Sequence, residues 1–196
     1  MKRSRRVLVC LLAVGLMAAC PSWPAPASAA DDREGRELIS EGFGVRGVYL
    51  GRSTADDVAA AYGASFELVE QGAQVSEMRY AALGLSFFYC RDDARKRIFR
   101  IDCRAPFRGF TARGVLLGES SARDVLRAYG QAEPSAGAAG EAVAYEYPGV
   151  RFRVENRQPG RVEPLNKLLG KKSSKVVGID VVAPAGGPAC PARDAK

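Results

Sequence analysis

The sequence contains no histidine and only one tryptophan among its 196 residues. Without histidine, Ser-His-Asp and Cys-His catalysis is excluded, as are zinc sites that depend on imidazole ligands. A phosphate-binding loop is also lacking, because GVYLGRST, residues 47–54, has neither the spacing nor the lysine that such a loop needs. We therefore expect no cofactor and no metal site.

Acidic residues are the remaining candidates for catalysis. They form three pairs, which are Asp56 with Asp57, Asp92 with Asp93, and Asp102 with Asp180. General acid and base catalysis needs two groups that face each other across a cleft and have well-separated pKa values. The first two pairs lie at an expected helix start and hairpin turn, and the third is expected to solvate two equivalent strands. We predict that the protein is not an enzyme and has no catalytic residue.

Residues 1–30 have the basic start and apolar run of an export signal. The run VLVCLLAVGLMAA is shorter than the roughly 20 apolar residues that span a bilayer. The sequence allows two alternative processing sites. LMAAC resembles a lipobox that would leave Cys20 lipidated, and PASAA would allow cleavage near Ala30. Either site predicts export, to the periplasm or to a lipid anchor in the bacterial cell envelope, and a membrane association only through that anchor.

The charge balance gives no indication of nucleic-acid binding. The first 30 residues hold four of the 29 basic residues and no acidic residue, which leaves 25 basic and 22 acidic residues, a net charge of +3. Nucleic-acid-binding proteins normally carry a concentrated basic stripe. We expect a protein or another envelope macromolecule as the partner, and the sequence gives no indication of an oligomer.

A repeated phrase organises the rest of the chain. GFGVRGVYLGRSTADDVAAAYG, residues 42–63, returns as GFTARGVLLGESSARDVLRAYG, residues 109–130. Two further blocks recur in the same order, YAALGLSF with YEYPGVRF and RIFRIDCRAP with KVVGIDVVAP. The pattern predicts repeat 1 over residues 42–108 and repeat 2 over residues 109–184. Residues 31–41 are expected to be a tether and residues 185–196 a flexible tail.

Each repeat reads as a strand, a turn and a short helix, followed by segments with the period-two pattern of strands. The predicted fold class is therefore α+β, with two tandem repeats in which a short helical element packs on an antiparallel β-sheet. Comparison of the copies assigns Phe99, Ile101 and Cys103 to the core side, together with the matched Val177, Ile179 and Val181.

The opposite side of the predicted sheet collects one aromatic residue and four arginines, which are Phe88, Arg100, Arg104, Arg151 and Arg153. An exposed aromatic ring among guanidinium groups is the composition favoured at protein interfaces. We interpret this side as a partner-binding face, and a solvated sheet face is the alternative.

Three cysteines remain after the signal, and they allow one disulfide in an oxidising compartment. Cys90 and Cys103 are predicted on opposite sides of the sheet, which disfavours a bond between them. A tail that folds back would join Cys190 to Cys90 and leave Cys103 as a buried apolar residue. A Cys103–Cys190 bond and a free thiol in the tail stay open.

The repeated turn, the helix with Asp-Val and the closing Tyr-Gly resemble the tandem modules of β-lactamase inhibitory protein and of SmpA/OmlA-type outer-membrane lipoproteins. The resemblance covers roughly residues 42–184 and implies helices packed on one face of an antiparallel sheet. In the inhibitor, an acidic hairpin loop enters an enzyme's active site, and only the general position of Asp92 and Asp93 corresponds.

These observations predict a non-enzymatic, exported cell-envelope protein that binds another protein or envelope macromolecule through its sheet face. A secreted inhibitor of an enzyme is one alternative, with that enzyme as its partner. A small-molecule binding module is the other.

Overall fold

The computed structural model describes residues 35–135, 142–155 and 174–184, together with Cys190. The predicted signal peptide, the candidate lipidation residue Cys20 and most of the predicted tail lie outside these residues. In the described part, no helix is both long enough and apolar enough to cross a membrane.

A small sheet contains four short strands. In spatial order they are β3 (Val48–Tyr49), β2 (Gly44–Val45), β1 (Glu37–Ser40) and β8 (Gly109–Thr111). Strand β1 lies within the segment predicted to be a tether, and it pairs in parallel with β8 of the second repeat. Strand β1 therefore lies between β2 of the first repeat and β8 of the second.

A large sheet contains the other eight strands of the described residues. In spatial order they are β4 (Glu67–Gln71), β5 (Val75–Tyr80), β6 (Leu85–Cys90), β7 (Ile98–Arg104), β12 (Val176–Val182), β11 (Val150–Glu155), β10 (Ala142–Tyr147) and β9 (Pro134–Ser135). Every pairing in it is antiparallel. The first repeat supplies one half of the sheet and the second repeat the other.

The prediction of an α+β fold built from two tandem helix-on-sheet repeats is wrong. The protein is mostly β, and each of its two sheets contains strands from both repeats. Strand β7 of the first repeat pairs with β12 of the second, so the two halves join into one sheet. An isolated half would leave the backbone groups of β7 unpaired at a sheet edge, and joining the halves satisfies them.

In the described part of the chain, two α-helices of eight residues each, α1 (Ala55–Tyr62) and α2 (Ala122–Tyr129), occur at matching places in the two repeats. Thr54 and Asp57 form a capping box at the start of α1, which satisfies two backbone amides that have no partner inside the helix. Each helix packs a tyrosine against two aromatic rings of the large sheet. The contacts are Tyr62 with Tyr80 and Phe87, and Tyr129 with Tyr147 and Phe152.

Matching β-bulges displace two residues that the alternating pattern predicted to be buried. Ile98 and Arg100 pair with consecutive residues of β6, so Phe99 is extra and only partly buried. Val177 is extra in the same way opposite β11 and is 41% exposed. Ile98 and Val176 enter the core instead, because a bulge shifts the alternation of side chains by one residue.

Candidate binding cleft on the outer sheet face

One row of polar side chains crosses the large sheet on the face opposite the core, which we call the outer face. In register from β4 to β10, the row contains Glu67, Arg79, Ser86, Asp102, Asp180, Arg151 and Glu146. At its middle, Asp102 and Asp180 are directly opposite each other where the two halves of the sheet join. We call these two residues the central acid pair.

Both carboxyl groups of the central acid pair are buried, and Asp180 has no exposed surface. The expectation that they solvate equivalent strands is therefore wrong. A buried carboxylate needs charge partners and hydrogen bonds. Arg153 supplies them, since its Nη2 lies 3.1 Å from Asp102 Oδ2 and 2.8 Å from Asp180 Oδ2. Its Nε also donates a 2.9 Å hydrogen bond to Asp180 Oδ2.

Burial raises the pKa values of both acids, and the negative charge of Asp102 raises the pKa of Asp180 further. Arg100 and Arg153 act in the opposite direction on each acid but do not cancel the effect of burial. Asp180 Oδ1 is buried without a hydrogen-bond partner among the described residues. Protonation of this pair is thus favoured well above the pH at which an ordinary aspartate ionises.

Phe88 lies on the outer face but is only 3% exposed, contrary to the exposed ring predicted. The guanidinium of Arg100 covers it, with its Cζ 3.7 Å from the ring centroid. The same guanidinium has its Nε 3.1 Å from Asp102 Oδ1, close enough for an ion pair. Arg100 is therefore held in place from two sides.

A cleft of about 600 Å³ opens on the outer face beside these residues, and we call it the binding cleft. Four of the five predicted face residues line it, which are Phe88, Arg100, Arg104 and Arg153. Arg151 does not line it and instead pairs with Glu146, at 2.7 Å.

The sequence interpretation missed the side chains that β5 contributes to the cleft, Glu77 and Arg79. Their signal is the alternation in VSEMRY, where Met78 and Tyr80 are buried in the core and Glu77 and Arg79 point to the other side. Arg79 donates through Nε and Nη2 to the two carboxylate oxygens of Glu77, at 2.8 and 3.0 Å.

Glu77 is almost fully buried, but its carboxylate accepts hydrogen bonds from neighbouring side chains. Burial alone would raise its pKa, and the hydrogen bonds from Arg79, Ser86 and Gln71 outweigh that effect and lower the pKa overall. Glu77 is therefore ionised at neutral pH and has its charge neutralised by Arg79.

Arg104 differs from its neighbours because its side chain is 51% exposed. Its contact with Asp102 is long, at 3.5 Å, and goes to the oxygen that Arg153 already holds. The guanidinium of Arg104 is thus open to bind a planar anion such as a carboxylate, which a guanidinium can hold through two parallel hydrogen bonds.

The structure joins Cys90 to Cys190, the pairing that the sequence favoured, with 5.5 Å between their Cα atoms. Cys103 is free and buried in the core. The bond attaches the tail at Cys190 to the end of β6.

The acidic hairpin between β6 and β7 uses one of its carboxylates within its own turn. Asp93 accepts hydrogen bonds from the backbone amides of Arg95 and Arg97 and from Arg97 Nε. The hydrogen bonds from Arg97 are the main cause that lowers the pKa of Asp93 to about 2. This carboxylate is already committed to local contacts.

No cluster of three or more histidine, cysteine, aspartate or glutamate side chains with the geometry of a metal site occurs in the part of the chain that the structure describes. No family model matches the sequence, and no curated protein matches it. One solved structure is similar to this chain, a DUF4309 family protein (YjgB) from Bacillus subtilis. The similarity has a TM-score of 0.44 at 12% identity and covers 72% of this chain and 88% of that chain.

Proposed function

We propose that this protein is a non-enzymatic, exported protein of the bacterial cell envelope that binds another protein through the outer face, with the binding cleft at the centre of the interface. The observation that supports this most is the open guanidinium of Arg104 at a cleft whose acids are already paired. Arginine is enriched among the residues that contribute most to protein–protein affinity.

The interior of the cleft is preorganised for binding. Arg100 is fixed by Phe88 and Asp102, and Arg153 is fixed by the central acid pair. Side chains that are already ordered lose little conformational freedom when a partner binds. The outer face therefore offers ordered guanidinium groups at low entropic cost.

Partner capture tests this proposal. The tagged protein would be used as bait in envelope extracts of its source bacterium, beside Arg104→Glu and the control Arg127→Glu. Arg127 lies on α2, is exposed and, in the described part of the chain, makes a 3.4 Å ion pair with Asp124. We expect a partner that the wild type and the control recover and that Arg104→Glu loses. Equal recovery by all three baits would contradict a role for the outer face.

Export is proposed from the sequence and has its own test. Cells would be labelled with radioactive palmitate and compared with cells that express Cys20→Ala. Label that depends on Cys20 would support a lipid anchor. An unlabelled protein with a new amino terminus near Ala30 would support ordinary cleavage instead, and retention of the full signal in the cytoplasm would overturn export.

A small-molecule binding module is a second candidate function. The cleft volume of about 600 Å³ falls within the range of sites for small ligands. Thermal unfolding with a panel of small carboxylic acids would test it, and a ligand that raises Tm for the wild type but not for Arg104→Glu is the expected result.

A further inference from the structure

Building on the proposed binding role of the outer face, we propose that the pairing of β7 with β12, which we call the junction, is a pH-sensitive switch for the binding cleft. One proton held by Asp180 keeps the two halves of the large sheet together, and loss of this proton loosens the junction. Asp180 does not line the cleft and regulates it from the neighbouring strand.

The binding cleft is built from both halves of the large sheet. Most of its lining residues belong to the first half, and Arg153 of β11 comes from the second. Arg153 extends from β11 across β12 to Asp102 on β7, where its Nη2 lies 3.1 Å from Asp102 Oδ2. The position of Arg153 in the cleft therefore depends on how β12 is held against β7.

The cations around the central acid pair are divided unequally between its two members. Asp102 has a guanidinium nitrogen within 3.5 Å from each of Arg100, Arg104 and Arg153. Asp180 forms an ion pair with Arg153 alone among the described residues. Asp180 is thus the acid whose negative charge is less well compensated, and it is the better place for a proton.

One carboxyl oxygen of Asp180 has no hydrogen-bond donor. Nε and Nη2 of Arg153 both contact Oδ2, at 2.9 and 2.8 Å, whereas Oδ1 is buried without a partner among the described residues. Arg151 is opposite Asp180 in the register, but its guanidinium pairs with Glu146 at 2.7 Å. A charged oxygen buried without a donor is costly, so we place the proton on Oδ1.

The other ionisable groups near the central acid pair leave this inequality in place. They are Glu77 and Arg79 on β5, and the thiol of Cys103 on the core side of β7. Glu77 and Arg79 form an ion pair with each other, at 2.8 Å. Burial raises the pKa of the Cys103 thiol well above its usual range, so the thiol stays neutral. None of these groups supplies a positive charge to Asp180 within the described residues.

The direction of the switch follows from the pKa of Asp180. Burial and the negative charge of Asp102 raise this pKa from 3.8 to about 7 in the closed junction. When the junction opens, Asp180 meets water and its pKa returns toward the ordinary value. The closed junction therefore binds the proton more tightly, and its stability falls as pH rises from about 4 to about 7 and levels off above.

Hydrogen exchange of the backbone amides, measured by NMR on the full chain, tests the switch. After correction for intrinsic exchange, the protection of amides in β7 and β12 should fall about tenfold between about pH 6 and about pH 8. Asp180→Asn should abolish this fall. The control Glu67→Gln removes an acid from the same row, with a side chain that is 65% exposed, and should keep the fall.

Amides of β5 and β10, which lie away from the junction, should change by less than about twofold. A fall of equal size in every strand, or one that persists in Asp180→Asn, would overturn the switch. The carboxyl carbon of Asp180 in the wild type gives a readout that needs no variant. Its NMR signal should titrate near pH 7, and titration near the ordinary 3.8 would overturn the proposal.

Partner capture at the same two pH values separates the switch from the proposed function. The wild type should recover several times less partner at about pH 8 than at about pH 6, and Asp180→Asn should recover equal amounts. If the junction responds to pH while capture does not, the regulatory role is wrong and the proposed function stands. If capture is independent of Arg104, the proposed function is wrong and the junction loses its role in binding.

Discussion

The side chain of Arg153 lies over the bare backbone of Gly178, its registered partner on β12. A Cβ on Gly178 would lie 3.3 Å from both Cβ and Cδ of Arg153, so glycine gives the arginine room to lie flat toward the central acid pair. The corresponding pair in the first half of the sheet is Phe88 with Arg100. The two halves thus share a backbone plan but differ in which strand carries the arginine.

The contact of Arg153 with both acids predicts a large cost for its removal. Arg153→Met leaves Asp180 without an ion-pair partner among the described residues and should lower the free energy of unfolding by about 3 kcal/mol at pH 8. The loss should be smaller at pH 5, where the acids can take up protons. Denaturant unfolding at both pH values measures it. Arg104→Met, on the same face but half exposed, should cost less than about 1 kcal/mol. Equal losses for the two variants would contradict this account.

The raised pKa of Asp180 predicts the pH dependence of stability. Its pKa is raised from the ordinary value of 3.8 to about 7 in the folded protein by burial and by the negative charge of Asp102, and the positive charges of Arg153 and Arg100 oppose this rise. The folded state therefore binds a proton that the unfolded state releases, and this group's contribution to stability falls as pH rises from about 4 to about 7.

Asp180→Asn should make the free energy of unfolding less dependent on pH across this range. Relative to the wild type, the variant should gain stability between pH 5 and pH 8, as measured by denaturant unfolding. Some dependence should remain, because the pKa of Asp102 is also raised. An unchanged slope in the variant would show that Asp180 does not carry the proton.

The sequence predicted the outer face better than the architecture that presents it. Alternation along β6, β7 and β11 placed Phe88, Arg100, Arg104 and Arg153 on one side, and all four line the cleft. It could not show that Arg100 covers Phe88, because that contact depends on side-chain conformations across two strands. The alternating pattern also could not show that the central acid pair is buried, because this burial requires β7 to pair with β12.

Internal repeats predicted the order of elements but not how they assemble. Matching sequences indicate matching local structure, and the two helices and their tyrosine contacts do match. A sequence repeat does not indicate whether the sheets of the two halves stay separate or join at an edge, because this depends on long-range backbone pairing. The joining of β7 to β12 is one reason why the predicted fold of two tandem helix-on-sheet repeats is wrong.

The bulge at β12 predicts that the same substitution will have effects of different size on stability at two adjacent valines. Val176→Thr should lower the free energy of unfolding by about 1–3 kcal/mol, because it places a hydroxyl in the core. Val177→Thr, at a 41% exposed position, should change it by less than about 0.5 kcal/mol. The alternating sequence pattern predicts the reverse order, so denaturant unfolding of this matched pair decides between the two registers.

The Cys90–Cys190 bond predicts a stability that depends on redox conditions. The two cysteines are 100 residues apart in sequence, so the bond restricts a long loop of the unfolded chain. The Cys90→Ala/Cys190→Ala double variant should be less stable than the oxidised wild type by about 2–4 kcal/mol. Dithiothreitol should lower the Tm of the wild type toward that of the double variant and leave the double variant unchanged.

Peptide mapping without reductant should recover the two cysteines in one linked fragment. Cys103 should react with iodoacetamide only after unfolding, because it is buried. A wild type whose Tm does not respond to dithiothreitol would contradict a stabilising role for the bond, and a linked fragment that contains Cys103 would contradict the pairing itself.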